Sequence, residues 1–160
     1  MTTNTILDKV AARATFTITL DSLAASATAG RQSTMIANAS PSHKRAKITG
    51  ILQSNASAPT VGTVYQIHLL RSDGTNADDG AGASDAALTI ENAPLIWTVV
   101  VTATINKNFP FACDTPLSMP LGTSWGIAVV NNTGQALHAT SGSTNVIAYE
   151  YINDDIQAAA

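Results

Sequence analysis

Hydrophobic and polar residues alternate with a period of two through much of this chain. Phe16, Ile18 and Leu20 fall on one side of a segment whose other side carries Thr15, Thr17 and Thr19, the pattern of a strand half-buried against a core. The alternation recurs over 46–53, with Ile48 and Leu52 opposed to Lys47 and Gln53, and over 62–71, where Tyr65, Ile67 and Leu69 oppose Gln66 and His68. Residues 95–105 form the longest block, with Trp97, Val99, Val101, Ala103 and Ile105 on one side and Thr98, Thr102 and Thr104 on the other. Blocks at 123–131 (Trp125, Ile127, Val129) and 144–152 (Ile147, Tyr149, Tyr151) repeat the theme, and shorter pieces around 31–37, 86–91, 109–113 and 135–139 extend it.

Turn chemistry separates these blocks. Ser72-Asp73-Gly74-Thr75, Asn131-Asn132-Thr133-Gly134 and Ser141-Gly142-Ser143 place Gly, Asn and Ser where the backbone must reverse. Pro110, Pro116 and Pro120 crowd one segment and keep it from being a central strand. The pattern predicts an all-β fold: an antiparallel β-sandwich, jelly-roll-like, of roughly eight short strands. Phe16, Ile48, Tyr65, Ile67, Leu69, Val99, Val101, Ile127 and Val129 are its expected core.

Helix is scarce. Asn4 as a cap, with Ile6, Leu7 and Val10 behind it, allows two turns over 4–13. The alternative is an arm that orders only on a neighbour, with Ile6, Leu7 and Val10 as its partner contacts. The chain therefore divides into an arm or short helix at 1–13, a sandwich domain at 14–153 and a C-terminal tail at 154–160.

Composition narrows the function. Among 160 residues 45% are hydrophobic, but only 5% are aromatic and 12% charged, against roughly 25% charged in an average soluble chain. Thr, Ser, Asn, Ala and Gly fill the difference, so the surface is polar but largely neutral, which favours stationary assembly over a self-repelling monomer. A net charge of −3 argues against a nucleic-acid partner, which needs a basic stripe against phosphate. The basic cluster His43-Lys44-Arg45-Lys47 reads as a solvated loop or partner contact. A single cysteine, Cys113, excludes an internal disulfide and reads as a buried thiol. Thr2 to Asp8 lacks the basic-then-apolar order of a signal peptide, and no apolar run reaches the ~20 residues of a membrane helix. Synthesis in a cytoplasm is expected, with no membrane partner, and sequons such as Asn38-Ala39-Ser40 then carry no meaning.

Several patterns imitate active sites. Gly122-Thr123-Ser124-Trp125-Gly126 matches the G-x-S-x-G elbow of serine hydrolases, which needs a strand turning sharply into a helix. Here the motif enters a predicted strand, so Ser124 is not expected to be a nucleophile and the glycines read as turn and close-packing residues. The acidic stretch Asp73 to Asp85 offers Asp73, Asp78, Asp79 and Asp85 as the only sensible ligands for Ca²⁺, but departs from the EF-hand spacing. A solvated connection without a metal is the expectation. His43, His68 and His138 show no zinc-ligand spacing. Trp97 and Trp125 lie in phase with aliphatic neighbours and read as core rather than as a sugar-stacking platform. No cofactor and no catalytic residue is expected.

Three stretches carry a resemblance: L-D-S-L-A-A-S-A-T-A-G-R-Q-S-T-M-I-A-N (Leu20 to Asn38), V-Y-Q-I-H-L-L-R-S-D-G-T-N-A-D-D-G-A-G-A-S-D-A-A (Val64 to Ala87) and P-L-G-T-S-W-G-I-A-V-V-N-N-T-G-Q-A-L (Pro120 to Leu137). They resemble small β-rich structural proteins of tailed bacteriophages and prophages, of the capsid cement or decoration type. The resemblance implies a virion component without catalytic residues, attached to the major capsid protein or other virion proteins. A homo-oligomer, trimer or dimer, is the matching expectation, since closed symmetry is the usual arrangement. A tail, neck or fibre component and a carbohydrate-binding adhesion module are the alternatives. No array-type repeat is visible in the chain, which weighs against a fibre shaft.

Overall fold

The computed structural model describes residues 5–40, 42–80, 82–139 and 145–157. Among them are eleven strands and no helix. In chain order they are β1 (Thr5–Val10), β2 (Ala14–Thr15), β3 (Ala29–Gln32), β4 (Ile36–Ala37), β5 (Arg45–Gln53), β6 (Val64–Ser72), β7 (Ala86–Thr89), β8 (Leu95–Val100), β9 (Asn108–Asp114), β10 (Ser124–Asn132) and β11 (Val146–Gln157).

These strands make two antiparallel sheets packed face to face, a β-sandwich. One sheet runs β1-β11-β5-β9, with β2 also on β11; the other runs β7-β3-β10-β6-β8, with β4 also on β10. Alternation along β9 shows how sequence sets the faces: Phe109, Phe111 and Cys113 are buried, while Asn108, Pro110, Ala112 and Asp114 are exposed. Successive side chains leave a strand on opposite faces, so the inward rows of strands such as β5, β6, β9 and β10 close the space between the sheets. All nine residues expected in the core are buried there, joined by Leu52, Leu121, Trp125, Leu137 and Ile147. Phe16, Trp125 and Tyr149 meet edge-on or tilted, with ring centroids 4.9–5.4 Å apart, a geometry aromatic quadrupoles favour.

Several boundaries differ from those the alternation suggests. The 14–20 block is a strand only at β2. Phe16 N–H donates to Ile147 in one sheet, while the Thr17 carbonyl accepts from Thr34 beside the other. The segment thus crosses between sheets, burying Phe16 and Leu20 as it goes. The 95–105 block is strand only to Val100, Val101 adds one more pair of bonds to Thr63 and Gly62, and its continuation turns at Ile105-Asn106. Near 135–139 only Leu137 bridges, to Ser54.

The two ends of the described chain require the largest correction. Thr5–Val10 is a strand, not the short helix that Ile6, Leu7 and Val10 allowed, and it pairs with β11 rather than reaching out alone. Residues 154–157, expected as tail, continue β11. Tertiary pairing overrides the local spacing here, because β11 offers β1 a complete antiparallel ladder from Val10↔Ile152 to Thr5↔Gln157. Residues 1–4 and 158–160 lie outside the described set.

Candidate interaction surface

The acidic loop between β6 and β7 carries Asp73, Asp78, Asp79 and Asp85, the four candidate metal ligands. Each one is engaged in holding the loop. Asp73 accepts from the N–H groups of Thr75 and Asn76, at 2.8 and 2.7 Å, closing its own turn. Asp78 forms a two-pronged ion pair with Arg71, at 2.7 and 3.1 Å. Asp79 accepts from three consecutive backbone N–H groups, those of Glu91, Asn92 and Ala93. Asp85 takes the Arg31 guanidinium on one oxygen and the Thr19 N–H and hydroxyl on the other. Burial pushes the Asp79 carboxyl up, but its three N–H donors prevail and hold it below the ordinary value; Asp85 is likewise low because Arg31 and Thr19 outweigh burial. Among the described residues no three His, Cys, Asp or Glu gather as a metal site.

The serine motif is built as a strand entry. Gly122 adopts φ 74° and bridges to Ser72, and a Cβ there would sit 2.5 Å from the Ser72 carbonyl oxygen. Gly126 lets Ser33 and Met35 approach β10 to distances a Cβ would block. Ser124 starts β10, a central strand, paired with Ser72 on one side and Ala37 on the other. Strand rather than helix follows the motif, so the elbow geometry is absent.

The histidines have separate surroundings. His68 is buried with Nδ1 donating to the Ala93 carbonyl at 2.9 Å, and His138 carries backbone bonds to Gln53, Ser22 and Asn145. His43 stacks on Tyr151 at 3.8 Å and bonds Asn153 at 2.6 Å. Cys113 is buried, and desolvation, with Asp114 nearby, pushes its thiol up to about 11, which leaves it protonated and unreactive at neutral pH.

The two tryptophans part company. Trp125 is fully buried and donates its indole N–H to the Tyr151 hydroxyl at 3.1 Å, as its phase predicts. Trp97 is a correction: it is 44% exposed. An irregularity in the β6–β8 register between Ile67 and His68 leaves Ile96 as an extra residue on β8. Ile96 packs against the core, and Trp97 is left at the open margin of the sheet, as bulges commonly re-aim a side chain.

Among the described residues two surfaces hold large apolar groups in water. One is the ribbon formed where β1 meets the end of β11. β5 accompanies β11 only from Val146 to Ile152, so beyond Ile152 β1 is its strand partner among the described residues. At the ribbon's base a notch of about 210 Å³ is lined by Ser42, Lys44, Arg45, Leu117, Ile152 and Asn153, with Leu117 and nearby Val10 exposed. The side chains of Ile6 and Leu7 lie outside the described set. This notch is smaller than the ~300–1,000 Å³ of small-molecule sites. The basic cluster flagged in the sequence contributes Lys44 and Arg45 here, which sequence spacing alone could not connect to Leu117. The second surface is the β8 margin. Comparison with protein-family models, curated proteins and solved structures returns no match for this chain.

Proposed function

We propose that this chain is a structural, non-enzymatic component of a tailed-phage virion: a capsid cement or decoration protein that binds neighbouring major-capsid subunits and fastens them. The observation that carries the reading is the two-stranded ribbon of β1 and β11 with its notch of Lys44, Arg45 and Leu117. A two-stranded ribbon is only marginally stable in water by itself. One that runs past the sheet, beside exposed Val10 and Leu117, gains most by lying against another chain. The neutral, threonine-rich surface adds little desolvation cost to such contacts.

The strand order supports a jelly roll, the finer form of the sandwich. With β7 set aside, and β1/β2 and β3/β4 each taken as one strand, eight strands remain. One sheet then holds the first, eighth, third and sixth; the other holds the second, seventh, fourth and fifth. That interleaving matches the order expected of the double Greek key of jelly rolls, which viral capsid domains use widely. Lectins use it too, so the fold by itself is analogy. The exposed aromatics do not favour a sugar module: Trp125 is buried, Tyr149 and Tyr151 are half-buried against each other, and Trp97 stands among aliphatic residues.

The test is co-sedimentation of purified chain with phage shells made without it. Saturable binding at a fixed copy number per capsid subunit is expected. Binding to isolated tails or necks and none to shells would move the chain to those structures.

A further inference from the structure

Among the described residues four strands end the two sheets: β1 and β9 in one, β7 and β8 in the other. Free edges invite pairing with other chains, and proteins usually blunt them with charge, proline or brevity. β1 contains Asp8 and Lys9, β9 contains Pro110 and Asp114, and β7 is four residues long. β8 has no charge and no proline, and its one irregularity, the extra residue Ile96, lies near its start and leaves Trp97 to Val100 in regular register. It is six residues, Leu-Ile-Trp-Thr-Val-Val, and no charged residue occurs between Glu91 and Lys107. Three exposed large apolar residues lie on it, Leu95 48%, Trp97 44% and Val100 62%, and exposed Val61 precedes Gly62, whose N–H donates to Val101 just past its end.

The ladder fixes what the free margin offers. Val101 N–H donates to the Thr63 carbonyl at 3.0 Å, and Val64 lies opposite Val100. Alternate residues of an antiparallel strand bond to the same neighbour. Val99 and Trp97 therefore face β6, and the N–H and C=O of Thr98 and Val100 point away from it. The occupant must supply a strand.

We propose that this strand is β8 of a second copy, paired antiparallel about a two-fold axis at Thr98. In that register Thr98 meets Thr98 in a hydrogen-bonded pair, and Trp97 meets Val99 of the other copy on the core-facing side. Cross-strand threonine pairs and aromatic–β-branched pairs are both favourable. At a two-fold axis every residue is duplicated close to itself, so a charge near it is repelled by its own copy. The long uncharged stretch around β8 meets that condition, although each chain carries −3 overall. Six residues at ~3.3 Å give a margin roughly 20 Å long, and a sandwich edge is roughly 15–20 Å deep, so the dimer buries about 600–800 Å² in all. Stable complexes bury about 1,200–2,000 Å². The dimer is therefore weak, forming where copies are concentrated. The proposal is independent of the virion reading, because it is tested on the isolated chain.

Analytical ultracentrifugation of the whole chain from about 10 μM to about 1 mM spans the affinity expected of so small an interface. The wild type is expected to pass from monomer to dimer, and Val100→Lys to stay monomeric with an unchanged circular-dichroism spectrum. Thr98→Cys is expected to cross-link rapidly under mild oxidant, since Cα atoms of such a pair lie about 5.5 Å apart. Thr89→Cys on β7 serves as control. A wild type that stays monomeric throughout, a dimer that survives Val100→Lys, or Thr98→Cys cross-linking no faster than the control would each overturn the proposal.

Discussion

Asp79 gathers three backbone N–H groups, from Glu91, Asn92 and Ala93, onto one carboxylate oxygen. Replacing it with alanine returns those donors to water at a partly exposed site, so the cost is about 1 kcal/mol, or a melting temperature lower by about 2–4 °C. The pH dependence has a definite sign. A carboxyl held below its ordinary 3.8 in the fold stabilises in full above that value and loses its contribution as pH falls through the lower folded value. Asp79→Asn should thus melt below wild type at pH 7, and the gap should close under acid conditions below the ordinary carboxylate range. Chelator should leave the wild-type melt unmoved, because Asp73, Asp78, Asp79 and Asp85 are bonded to the protein itself; a drop reversed by Ca²⁺ would contradict this account of the loop. The serine motif gives a paired test. Gly122→Ala forces a Cβ to within 2.5 Å of the Ser72 oxygen at φ 74° and should cost about 2 kcal/mol or more. Ser124→Ala should cost about 1 kcal/mol at most and change no labelling by serine-directed probes. Equal effects of the two in thermal melts would show that the motif is not the strand entry described.

At the scale of elements, deletion of residues 1–13 removes β1 but leaves β2 on β11 and every strand whose described side chains form the core. The truncated chain should keep its β-type spectrum and melt within about 2–4 °C of wild type, while binding shells more weakly. Equal binding by both forms would take the ribbon out of the attachment. Period-two alternation made most elements legible, because a half-buried strand must alternate. It located β5, β6, β8, β9 and β10 and a core that includes Phe16, Tyr65, Val99 and Ile127. It misread Ile6, Leu7 and Val10, whose spacing suits either element; β11 decides their strand conformation. It also placed Trp97 inside, since phase gives a residue's face but not whether the neighbouring position in the sheet is filled. The notch was out of reach for the same reason. Lys44, Leu117 and Ile152 are distant in sequence and meet only because β5 pairs with β11 on one side and with β9 on the other.

For the molecule as a whole, the proposed adhesive role joins these features. The chain is 12% charged, its acidic loop is fastened to its own body, and its exposed apolar groups concentrate at the ribbon base and the β8 margin. A protein that binds an assembled shell and not its separated subunits must stabilise that shell by mass action, as any ligand selective for one state does. The direct measurement is the melting temperature of shells lacking this chain, recorded with increasing amounts of the purified protein. A saturable rise, reduced by deletion of residues 1–13, is the predicted result; an unchanged melting temperature with bound chain absent from the pelleted shells would contradict it.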